Sequence, residues 1–463
     1  MRGARILPLL LAACAAPFGR VAPVKPALVP TAAQLDTTPK PARVQEASPT
    51  QAASAAAVTS VPPPAPAPPI VAAPKLNVIL ITVDALRADM PWQGYPRDIA
   101  PNLTALANAS VSYSRAYSVS SYTAMSIAAL LSGRYPAELE RSGYFFSAYP
   151  DEVTFFPELL RQAGVRTVGA HAHFYFDTKS GFRQGFDDYR IVAGISDDRT
   201  TAREITSPQH LALALDILGN PVNTAGQFFS WFHFIDPHDL YLAHPGVAFG
   251  GKPRDHYDGE VFFTDQHLGK LFEFIRSQPW GERTAIIVTA DHGEAFGEHR
   301  MVRHGFELWE PLTRVPLIIH VPGVAAKRVD VPRSDIDLAP TILELMGMPS
   351  PSNFQGKSLV GELTATTAPE LRDVILDLPR TSDSYRRRAL VHDTYKIIAY
   401  DDDYRFEVYD LAKDPGEKRD LRKVNPELYE TMKARYLEHI KTIHEVCPKM
   451  RNRLKGKRRE KPC

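Results

Sequence analysis

The stretch that decides the fold is NVILITV, residues 77–83, which Asp84 follows directly. Its apolar residues run on without polar alternation, which is typical of a strand buried on both faces of a sheet. Three more runs of this kind follow along the chain, at residues 227–235, 284–290 and 314–321. Helical patterns lie between them; in residues 265–277, for example, the apolar residues share one face. This alternation predicts an α/β fold with a mostly parallel sheet flanked by helices.

Acidic residues and histidines follow three of these runs. Asp84 ends the first, Asp236 and His238 follow the second, and Asp291 and His292 follow the third. In open sheets of this type, ligands bind beyond the carboxyl ends of the strands. A single Asp at a strand end is usually a turn or cap residue. Three of them, two with a His close behind, favour a ligand site at this edge of the sheet.

The segment SSYTAMSIAALLSGR, residues 120–134, predicts a short helix that begins near Thr123 and stops at Gly133. A hydroxyl at a helix N-terminus lies among unpaired backbone N–H groups, at the positive end of the helix dipole. This is a favourable position for a nucleophile that attacks an anionic ester. The alternative is that Thr123 only caps the helix.

The composition narrows the class of protein. The 463 residues are 44% hydrophobic and 23% charged, which is typical of a chain with a sizeable buried core. Three cysteines exclude a disulfide-rich scaffold and a cysteine-based zinc cluster. Lys and Arg (54) balance Asp and Glu (53), so net charge argues neither for nor against an anionic partner. We predict no nucleic-acid partner. No apolar run reaches the roughly 18 residues of a transmembrane helix.

The N-terminal residues predict an exported, lipid-anchored protein. A basic start and a short apolar stretch precede LAAC, residues 11–14, which resembles a bacterial lipoprotein signal whose Cys14 is acylated. The alternative is an ordinary cleaved signal. Residues 15–74 are rich in Ala and Pro and predict a semi-rigid tether. We therefore expect a membrane partner through acylated Cys14 and a location in the bacterial cell envelope, periplasmic or surface-facing.

The C-terminal part differs in character from the rest. Past residue 350, short strands between polar turns and a closing helix at 427–446 predict a small C-terminal antiparallel α+β subdomain. A basic tail follows, either a contact for anionic lipid or polysaccharide or a solvated end, and Cys447 and Cys463 are candidates for a disulfide around it. The predicted boundaries are a signal peptide at 1–13, a tether at 14–74, a catalytic domain at 75–349, the subdomain at 350–446 and the tail at 447–463.

In these segments and several others the chain resembles the sulfatase family of the alkaline phosphatase superfamily. The motifs that carry the likeness stand in the family's order. They are NVILITVDALRAD (77–89), APNLTAL (100–106), LLSGRYP (130–136), DPH (236–238), YDGE (257–260), TADHGE (289–294), GEH (297–299), RVPLI (314–318), DLAPTI (337–342), VYDL (408–411) and DPGE (414–417). The resemblance implies the sulfatase fold and a hydrolase of sulfate or phosphate esters. Its expected partner is an anionic ester, with envelope glycans and lipids as candidates.

Several residues depart from the family pattern. Thr123 stands where sulfatases have the Cys or Ser that is converted to formylglycine, and the methyl group on its Cβ would give a ketone instead of an aldehyde. Met125 and Ile127 replace the Pro and Arg of the modification motif, and Ala85 replaces the second of two adjacent Asp ligands. The chain therefore resembles the branch with a Thr nucleophile, which includes phosphoethanolamine transferases, lipoteichoic acid synthases and nucleotide phosphodiesterases.

The resemblance also implies the roles of the site residues. The expected catalytic residues are Thr123 as an unmodified nucleophile, with His238 and His304 contacting the anionic group or protonating the leaving oxygen. The expected metal ligands are Asp84, Asp291 and His292, completed by the Thr123 hydroxyl or a water molecule. Two carboxylates and one imidazole suit a divalent Mn²⁺, Zn²⁺ or Mg²⁺ ion better than Ca²⁺. A metal ion at the Thr123 hydroxyl would activate it for attack.

Several alternatives stay open at this point. The protein could instead be an envelope phosphotransferase or phosphodiesterase, or a non-catalytic descendant that binds an anionic glycan. A second metal ion would need more ligands, for which the candidates are Asp236, His238, His299 and His304. His233 and His299 are candidates for contacting the metal ligands, and His171 and His173 lie at the end of a predicted strand, residues 166–173.

Overall fold

The structure is a computed structural model that describes residues 75–177, 179–195, 205–381 and 384–448. The predicted signal peptide, Cys14, the tether and residues 449–463 of the basic tail lie outside the described residues. Within the described ranges, no helix combines the length and apolar character needed to cross a membrane. Cys447 is disulfide-bonded. Cys463, its candidate partner from the sequence, lies outside the described part of the chain.

The described residues form fifteen strands and ten α-helices. The strands are β1 (Asn77–Val83), β2 (Val111–Tyr117), β3 (Arg166–His171), β4 (Asp188–Ile191), β5 (Phe228–Phe234), β6 (Thr284–Ala290), β7 (Ala295–Phe296), β8 (Val302–Arg303), β9 (Arg314–His320), β10 (Lys327–Val329), β11 (Arg333–Ser334), β12 (Val374–Leu378), β13 (Arg387–His392), β14 (Tyr395–Tyr400) and β15 (Arg405–Asp410). The helices are α1 (Pro101–Asn108), α2 (Thr123–Ser132), α3 (Phe156–Gln162), α4 (Ser207–Gly219), α5 (Pro221–Thr224), α6 (Pro253–Ser277), α7 (Glu310–Thr313), α8 (Leu338–Leu345), α9 (Val360–Leu363) and α10 (Pro426–Ile440). Short 3₁₀ turns lie at Pro91–Gln93, Pro136–Glu138, Phe174–Phe176, Gly281–Arg283, Glu298–Arg300 and Asp335–Asp337.

The main sheet has nine strands in the order β10-β2-β9-β6-β1-β5-β3-β4, with β11 also paired to β2. At its centre β1 runs parallel to both β5 and β6, and all seven of its residues are buried. Because both faces are covered, the strand shows no polar alternation. β9 runs antiparallel to both β6 and β2, so the sheet is mixed but mostly parallel. The predicted fold class is confirmed.

The register of β1 with its neighbours sets the position of the candidate site. Val83, the last residue of β1, pairs with Phe234 on one side and with Ala290 on the other. Asp84 and Asp291, the next residues of β1 and β6, therefore leave the sheet at the same edge. The backbone N–H of Asp84 donates to the carbonyl oxygen of Phe234 at 2.8 Å, which fixes the end of β1.

A second sheet has the antiparallel order β12-β13-β14-β15. The closing helix α10 buries Met432 and Tyr436 in the apolar cluster of this sheet. It ends at Ile440, earlier than the predicted residue 446. Beyond the helix the backbone N–H of Val446 donates to the carbonyl oxygen of Ala137 at 2.8 Å, so a contact with the main domain replaces the last helical turn.

A buried ionic cluster ties this sheet to the main domain. The Lys396 ammonium group on β14 lies 3.0 Å from Glu310 Oε1 on α7 and 2.9 Å from Glu417 Oε1. The Lys396 side chain is fully buried. Removing one member of such a cluster leaves an uncompensated charge in the interior, which is strongly destabilising.

Candidate active site

Thr123 is the first residue of α2, which begins after Tyr122 in an extended conformation. The rest of the helix is buried, and Thr123 alone is partly exposed. No side chain caps the helix. The Thr123 hydroxyl lies 3.4 Å from Asp84 Oδ2 and 3.3 Å from His292 Nε2. The alternative that Thr123 only caps α2 is therefore wrong, because its side chain faces the ends of β1 and β6.

Asp84, Asp291 and His292 form a buried cluster beside Thr123. Each offers one ligand atom, and these atoms lie within 4.8 Å of one another. His292 Nδ1 lies 2.9 Å from the carbonyl oxygen of Gly293, so Nδ1 carries the proton and donates this bond. The other ring nitrogen, Nε2, lies 3.5 Å from Asp84 Oδ1 and 3.4 Å from Asp291 Oδ2. Three atoms that can act as metal ligands thus converge on one point.

The donor atoms of this cluster fit a cation. Asp84 Oδ1 and Asp291 Oδ2 are buried and accept no hydrogen bond from the described residues. A buried carboxylate oxygen without a partner is costly, and a divalent ion bound to both oxygens and to His292 Nε2 would remove that cost. Mixed oxygen and nitrogen ligands suit Mn²⁺, Zn²⁺ or Mg²⁺. In the described part of the chain, no other group of three His, Cys, Asp or Glu residues converges in this way.

Ala85, which departs from the family pattern, shapes the cluster through its backbone. Its φ is 55°, in the left-handed region that few residues other than glycine adopt. In this conformation the Ala85 N–H donates to Asp291 Oδ1 at 3.3 Å, and the His292 N–H donates to the same oxygen at 3.0 Å. These two bonds orient Asp291 and leave its Oδ2 for a ligand.

The charges of the cluster act on one another. Burial alone would raise the pKa of Asp84, but His238, His233 and His292 together hold that pKa well below its usual range. The pKa of Asp291 is raised, first by burial and then by the neighbouring Asp84 carboxylate. Burial would lower the pKa of His292, but the two carboxylates outweigh it and raise the value. Two carboxylates in a dry site repel each other, and a bound cation relieves that repulsion.

A hydrogen-bonded relay, Trp231–Thr82–His233, supports Asp84 from the interior of the sheet. Trp231 Nε1 donates to Thr82 Oγ1 at 2.9 Å. Thr82 Oγ1 lies 2.7 Å from His233 Nδ1, and His233 Nε2 lies 3.3 Å from Asp84 Oδ2. Because the Thr82 hydroxyl accepts from Trp231, its own proton is free for His233 Nδ1, and His233 then donates from Nε2 to Asp84. Partners of this kind commonly orient metal ligands. The structure thus places His233 against a candidate ligand, as the sequence suggested.

His304 and His238 lie beside the cluster and are half-buried. The centroid of the His304 ring is 4.1 Å from that of His292 and 5.0 Å from that of His238. His304 Nδ1 lies 3.2 Å from Glu294 Oε1, and His238 Nδ1 lies 2.9 Å from the carbonyl oxygen of Asp239. Each ring uses Nδ1 for a fixed partner and keeps Nε2 for another contact. Burial and His292 lower the pKa of His304, although Glu294 opposes the shift.

Two candidate ligands for a second metal ion are engaged elsewhere. Asp236 holds the N-terminus of α4, since its Oδ1 accepts from the Thr206 N–H at 2.7 Å and its Oδ2 from the Ser207 N–H at 2.6 Å. His299 stacks on Trp309 with ring centroids 3.8 Å apart. Neither joins the converging group of the described residues. A second metal ion held with their help is therefore not supported.

The two histidines at the end of the predicted strand, residues 166–173, differ in environment, and the observed strand β3 already ends at His171. His171 is fully buried against Phe176 and Trp231, and burial takes its pKa well below the ordinary value. His173 lies nearer the site, with its ring centroid 6.3 Å from that of His238. Burial lowers the pKa of His173 to about 3. His171 is a core residue, and His173 is a neutral neighbour of the site.

Sequence reasoning did not assign roles to Glu294, Thr82 or Trp231. A usable signal exists for the last two. Thr82 in β1 is two residues before Asp84, which directly follows the strand, and Trp231 and His233 are two residues apart on β5, so side chains two residues apart are expected on the same side. Glu294 stands in the TADHGE motif, but its contact with His304 depends on the conformation of the loop between them. The residues around Glu294 in the sequence therefore do not predict this contact.

Comparison with known proteins identifies the family. The Sulfatase family model matches residues 76–348, which is more than half of the 463 residues. The chain belongs to the sulfatase family. A second model of a sulfatase region, the C-terminal part of N-sulphoglucosamine sulphohydrolase, matches residues 297–445. The match confirms the predicted family.

Curated relatives are sulfatases that share part of their length with this chain. It is 30% identical to an uncharacterized sulfatase, YidJ, of Escherichia coli (strain K12) over 168 residues, which are 34% of this chain and 32% of YidJ. It is 24% identical to the ulvan-active sulfatase of Formosa agariphila over 343 residues, or 64% of this chain and 66% of that protein. The chain thus spans about a third of the length of YidJ.

A solved structure with the same fold is the phosphonate monoester hydrolase SpPMH from Silicibacter pomeroyi. It superposes with a TM-score of 0.67 at 20% identity, covering 80% of this chain and 96% of that one. At this level of identity the likeness shows a shared fold. The sulfatase fold is therefore shared by a protein named as a phosphonate monoester hydrolase.

Proposed function

We propose that this sulfatase-family protein is a metal-dependent hydrolase of a sulfate or phosphate ester, with Thr123 as its nucleophile. The observation that carries the proposal is the place of the Thr123 hydroxyl. It lies at the uncapped N-terminus of α2, 3.4 Å from Asp84 Oδ2 and 3.3 Å from His292 Nε2. Family membership supports the hydrolase activity, and this geometry supports the nucleophile and its metal ligands.

Each residue of the site has a distinct part in the reaction. The anionic group of the ester binds at the N-terminus of α2, where backbone N–H groups and the helix dipole stabilise negative charge. A divalent ion held by Asp84, Asp291 and His292 would supply Lewis acidity that lowers the pKa of the Thr123 hydroxyl. Thr123 Oγ1 loses its proton to water and bonds to the sulfur or phosphorus atom. The bond from that atom to the alcohol oxygen breaks.

The histidines handle the leaving group. His238 or His304, in the imidazolium form that a bound anionic ester stabilises, donates the proton on its Nε2 to the departing alcohol oxygen, while its Nδ1 stays with its own partner. A water molecule then attacks the sulfur or phosphorus atom of the ester formed on Thr123. This step releases the inorganic anion and restores the Thr123 hydroxyl. If an acceptor alcohol replaced that water, the same site would act as a transferase.

The chemistry of threonine favours a phosphorus ester over a sulfate ester. Formylglycine expels sulfate through a hydrated aldehyde, and the methyl group of Thr123 closes that route. A phosphorylated threonine is released by attack of water at phosphorus. A sulfated threonine has no aldehyde route, so we expect slower turnover of sulfate esters. The ulvan-active sulfatase and the phosphonate monoester hydrolase among the similar proteins support testing both classes.

Substitution of Thr123 tests the proposal in the full-length protein loaded with Mn²⁺ or Zn²⁺. Aryl esters of sulfate, phosphate and phosphonate serve as substrates. Thr123→Ala should lose on the order of a thousandfold or more in kcat/KM, because a covalent nucleophile is removed. Thr123→Ser should keep appreciable activity, since the hydroxyl survives. Thr104→Ala is the matched control, because it removes a hydroxyl from another helix, α1, away from the site.

Mass spectrometry provides a second readout. The peptide containing Thr123 should have its unmodified mass in the resting protein and gain one phosphate after rapid quenching of a phosphoester reaction. Near-wild-type turnover by Thr123→Ala would refute the nucleophile role and favour direct attack by water.

A further inference from the structure

Aromatic side chains form a series of contacts that starts beside Thr123. The ring of Tyr122, the preceding residue, stacks on Phe145 with centroids 4.2 Å apart. Phe145 in turn contacts Phe306, two residues after His304, at 5.4 Å. Phe145 therefore lies between the chain neighbours of the proposed nucleophile and of a proposed proton donor.

The series continues from Phe145 to the other proposed proton donor. Successive centroid distances are 5.4 Å for Phe145–Phe146, 5.9 Å for Phe146–Phe174, 4.4 Å for Phe174–His173, 6.3 Å for His173–His238 and 5.0 Å for His238–His304. The contacts thus return to His304. We call this set of side chains, from Tyr122 through His304 and Phe306, the aromatic entrance.

Exposed apolar residues adjoin the aromatic entrance. Among the described residues nine large apolar side chains are exposed, and three of them lie within two residues of His238 or His304. These are Leu240 (42% exposed), Val302 (71%) and Phe306 (45%). Single exposed apolar residues are ordinary. Here Phe306 contacts Phe145, and Leu240 and Val302 are each two residues along the chain from a site histidine, so apolar surface lies beside the site, which is typical of a surface that binds something apolar.

The in-line geometry of the displacement indicates which part of the substrate lies on this surface. In a displacement at phosphorus the attacking and leaving oxygens are roughly in line, so the alcohol points away from the nucleophile. With the anionic group at α2, the alcohol extends past His238 and His304 onto the aromatic entrance. The nearby charged residues Arg303 and Asp239 lie 2.7 Å apart and pair with each other. The phenylalanines offer no hydrogen bonds for the hydroxyl groups of a sugar.

We infer that the ester carried by this site has an extended apolar alcohol of the lipid type. Its first carbons lie on Phe145 and Phe146, and its continuation covers Leu240, Val302 and Phe306. This inference rests on the proposed function, which it deepens by naming the alcohol. A small aryl group would lie on Phe145 and Phe146 but leave the exposed Leu240 and Val302 uncovered.

Binding of sulfonates tests the inference without requiring turnover, because they carry the anion but cannot be hydrolysed. Methanesulfonate, hexanesulfonate, decanesulfonate, benzenesulfonate and 6-deoxy-6-sulfoglucose are titrated by calorimetry into the full-length protein below their micellar concentrations. Affinity should rise with chain length, by at most about fourfold per methylene group if each is fully buried. Tightest binding of 6-deoxy-6-sulfoglucose, or no gain beyond benzenesulfonate, would overturn the inference.

Variants test whether the alkyl chains bind at the aromatic entrance or adsorb unspecifically elsewhere on the protein. Val302→Ser and Phe306→Ser should flatten the dependence of affinity on chain length, and both positions are exposed enough for folding to be kept. Leu437→Ser is the matched control, an exposed apolar residue (39%) on α10, and should leave the dependence unchanged. A dependence that is the same in all three variants would overturn the inference. Chain-length dependence without turnover of any ester would instead count against the proposed hydrolase alone.

Discussion

Replacing Thr82 by valine tests whether the Trp231–Thr82–His233 relay supports the metal site. Valine keeps the shape of the side chain but removes the hydroxyl that accepts from Trp231 at 2.9 Å and lies 2.7 Å from His233 Nδ1. Both partners are fully buried, so water cannot replace the lost bonds. His233 then loses the contact that keeps its proton on Nε2, and its 3.3 Å contact with Asp84 loses its support.

The expected losses of stability and of metal affinity follow from the hydrogen bonds that are removed. A buried polar group left without a partner costs about 1–3 kcal/mol, so two orphaned groups should lower the free energy of unfolding by about 2–6 kcal/mol. Removing a partner behind a metal ligand typically weakens metal binding about 10- to 100-fold. Thr289→Val is the matched control. Thr289 pairs with Thr82 across β6 and β1, is 1% exposed, and donates to the carbonyl oxygen of Pro316 at 2.9 Å.

The assay separates stability from metal affinity. Urea unfolding of the metal-free full-length proteins gives the free energy of unfolding, and competition with a chelator gives the metal affinity. Both variants should be destabilised, Thr82→Val more than Thr289→Val, and only Thr82→Val should bind metal more weakly. Equal metal affinities in the two folded variants would refute the role of the relay.

Three more substitutions have defined outcomes. Asp291→Asn should leave the folded protein without stoichiometric metal and without activity; near-stoichiometric metal by mass spectrometry would contradict its role as a ligand. Cys14→Ala should move the protein from membranes to the soluble periplasmic fraction, and the proposed anchor fails if the variant, with its signal cleaved, still sediments with salt-washed membranes. Burial raises the pKa of Glu260 to about 7, although His244 at 2.9 Å opposes the shift. Because this lies above the ordinary value of 4.5, the folded protein binds the proton more tightly, and the free energy of unfolding falls as pH rises from 4.5 to about 7. In urea unfolding, the free energy of unfolding of the wild-type protein should be higher at about pH 5 than at pH 8, and Glu260→Gln should reduce this difference by up to roughly 3 kcal/mol. The same difference in the variant and the wild type would contradict the raised pKa.

The elements that carry the site were predictable because burial and helix ends leave local signals. β1 and β6 occupy the predicted residues 77–83 and 284–290, and α2 begins at Thr123. Gly133 ends α2 with a φ of 62°, and a Cβ there would lie 2.7 Å from the Phe354 ring, so only glycine fits without movement. Continuous apolar runs and a terminal glycine are features of a few adjacent residues, which a sequence displays directly.

Features that depend on distant contacts were not predictable in the same way. α6 begins at Pro253 instead of residue 265, because its first turns are stabilised by polar contacts such as the Arg254–Asp258 ion pair at 2.8 Å. An apolar pattern does not reveal such turns. Likewise, Asp236 and His238 follow the same predicted strand and were both expected at the site, but only the fold separates their roles. Asp236 accepts a hydrogen bond at the N-terminus of α4, and the His238 ring lies beside His304 at the site.

Several features of the site are energetically unfavourable by themselves, and they bear on whether the protein is an enzyme. At one edge of the sheet lie an uncapped helix, a left-handed Ala85, and unpartnered buried oxygens on Asp84 and Asp291. Elsewhere in the described residues some comparable groups are satisfied, such as Asp236, which accepts two bonds at the start of α4, and others, such as Asp335 Oδ2, are not. What distinguishes this edge is that the two unpartnered oxygens converge with His292 beside a helix N-terminus. Two additions, an anionic ester at the helix and a cation between the carboxylates, would satisfy most of the unpaired groups at this edge.

Natural chains depart from locally favourable choices mainly where function requires it. A descendant that only bound a glycan could cap α2 and neutralise one carboxylate by single substitutions, which would stabilise it. The convergence of these unpaired groups around Thr123 therefore favours an enzyme over a binding protein.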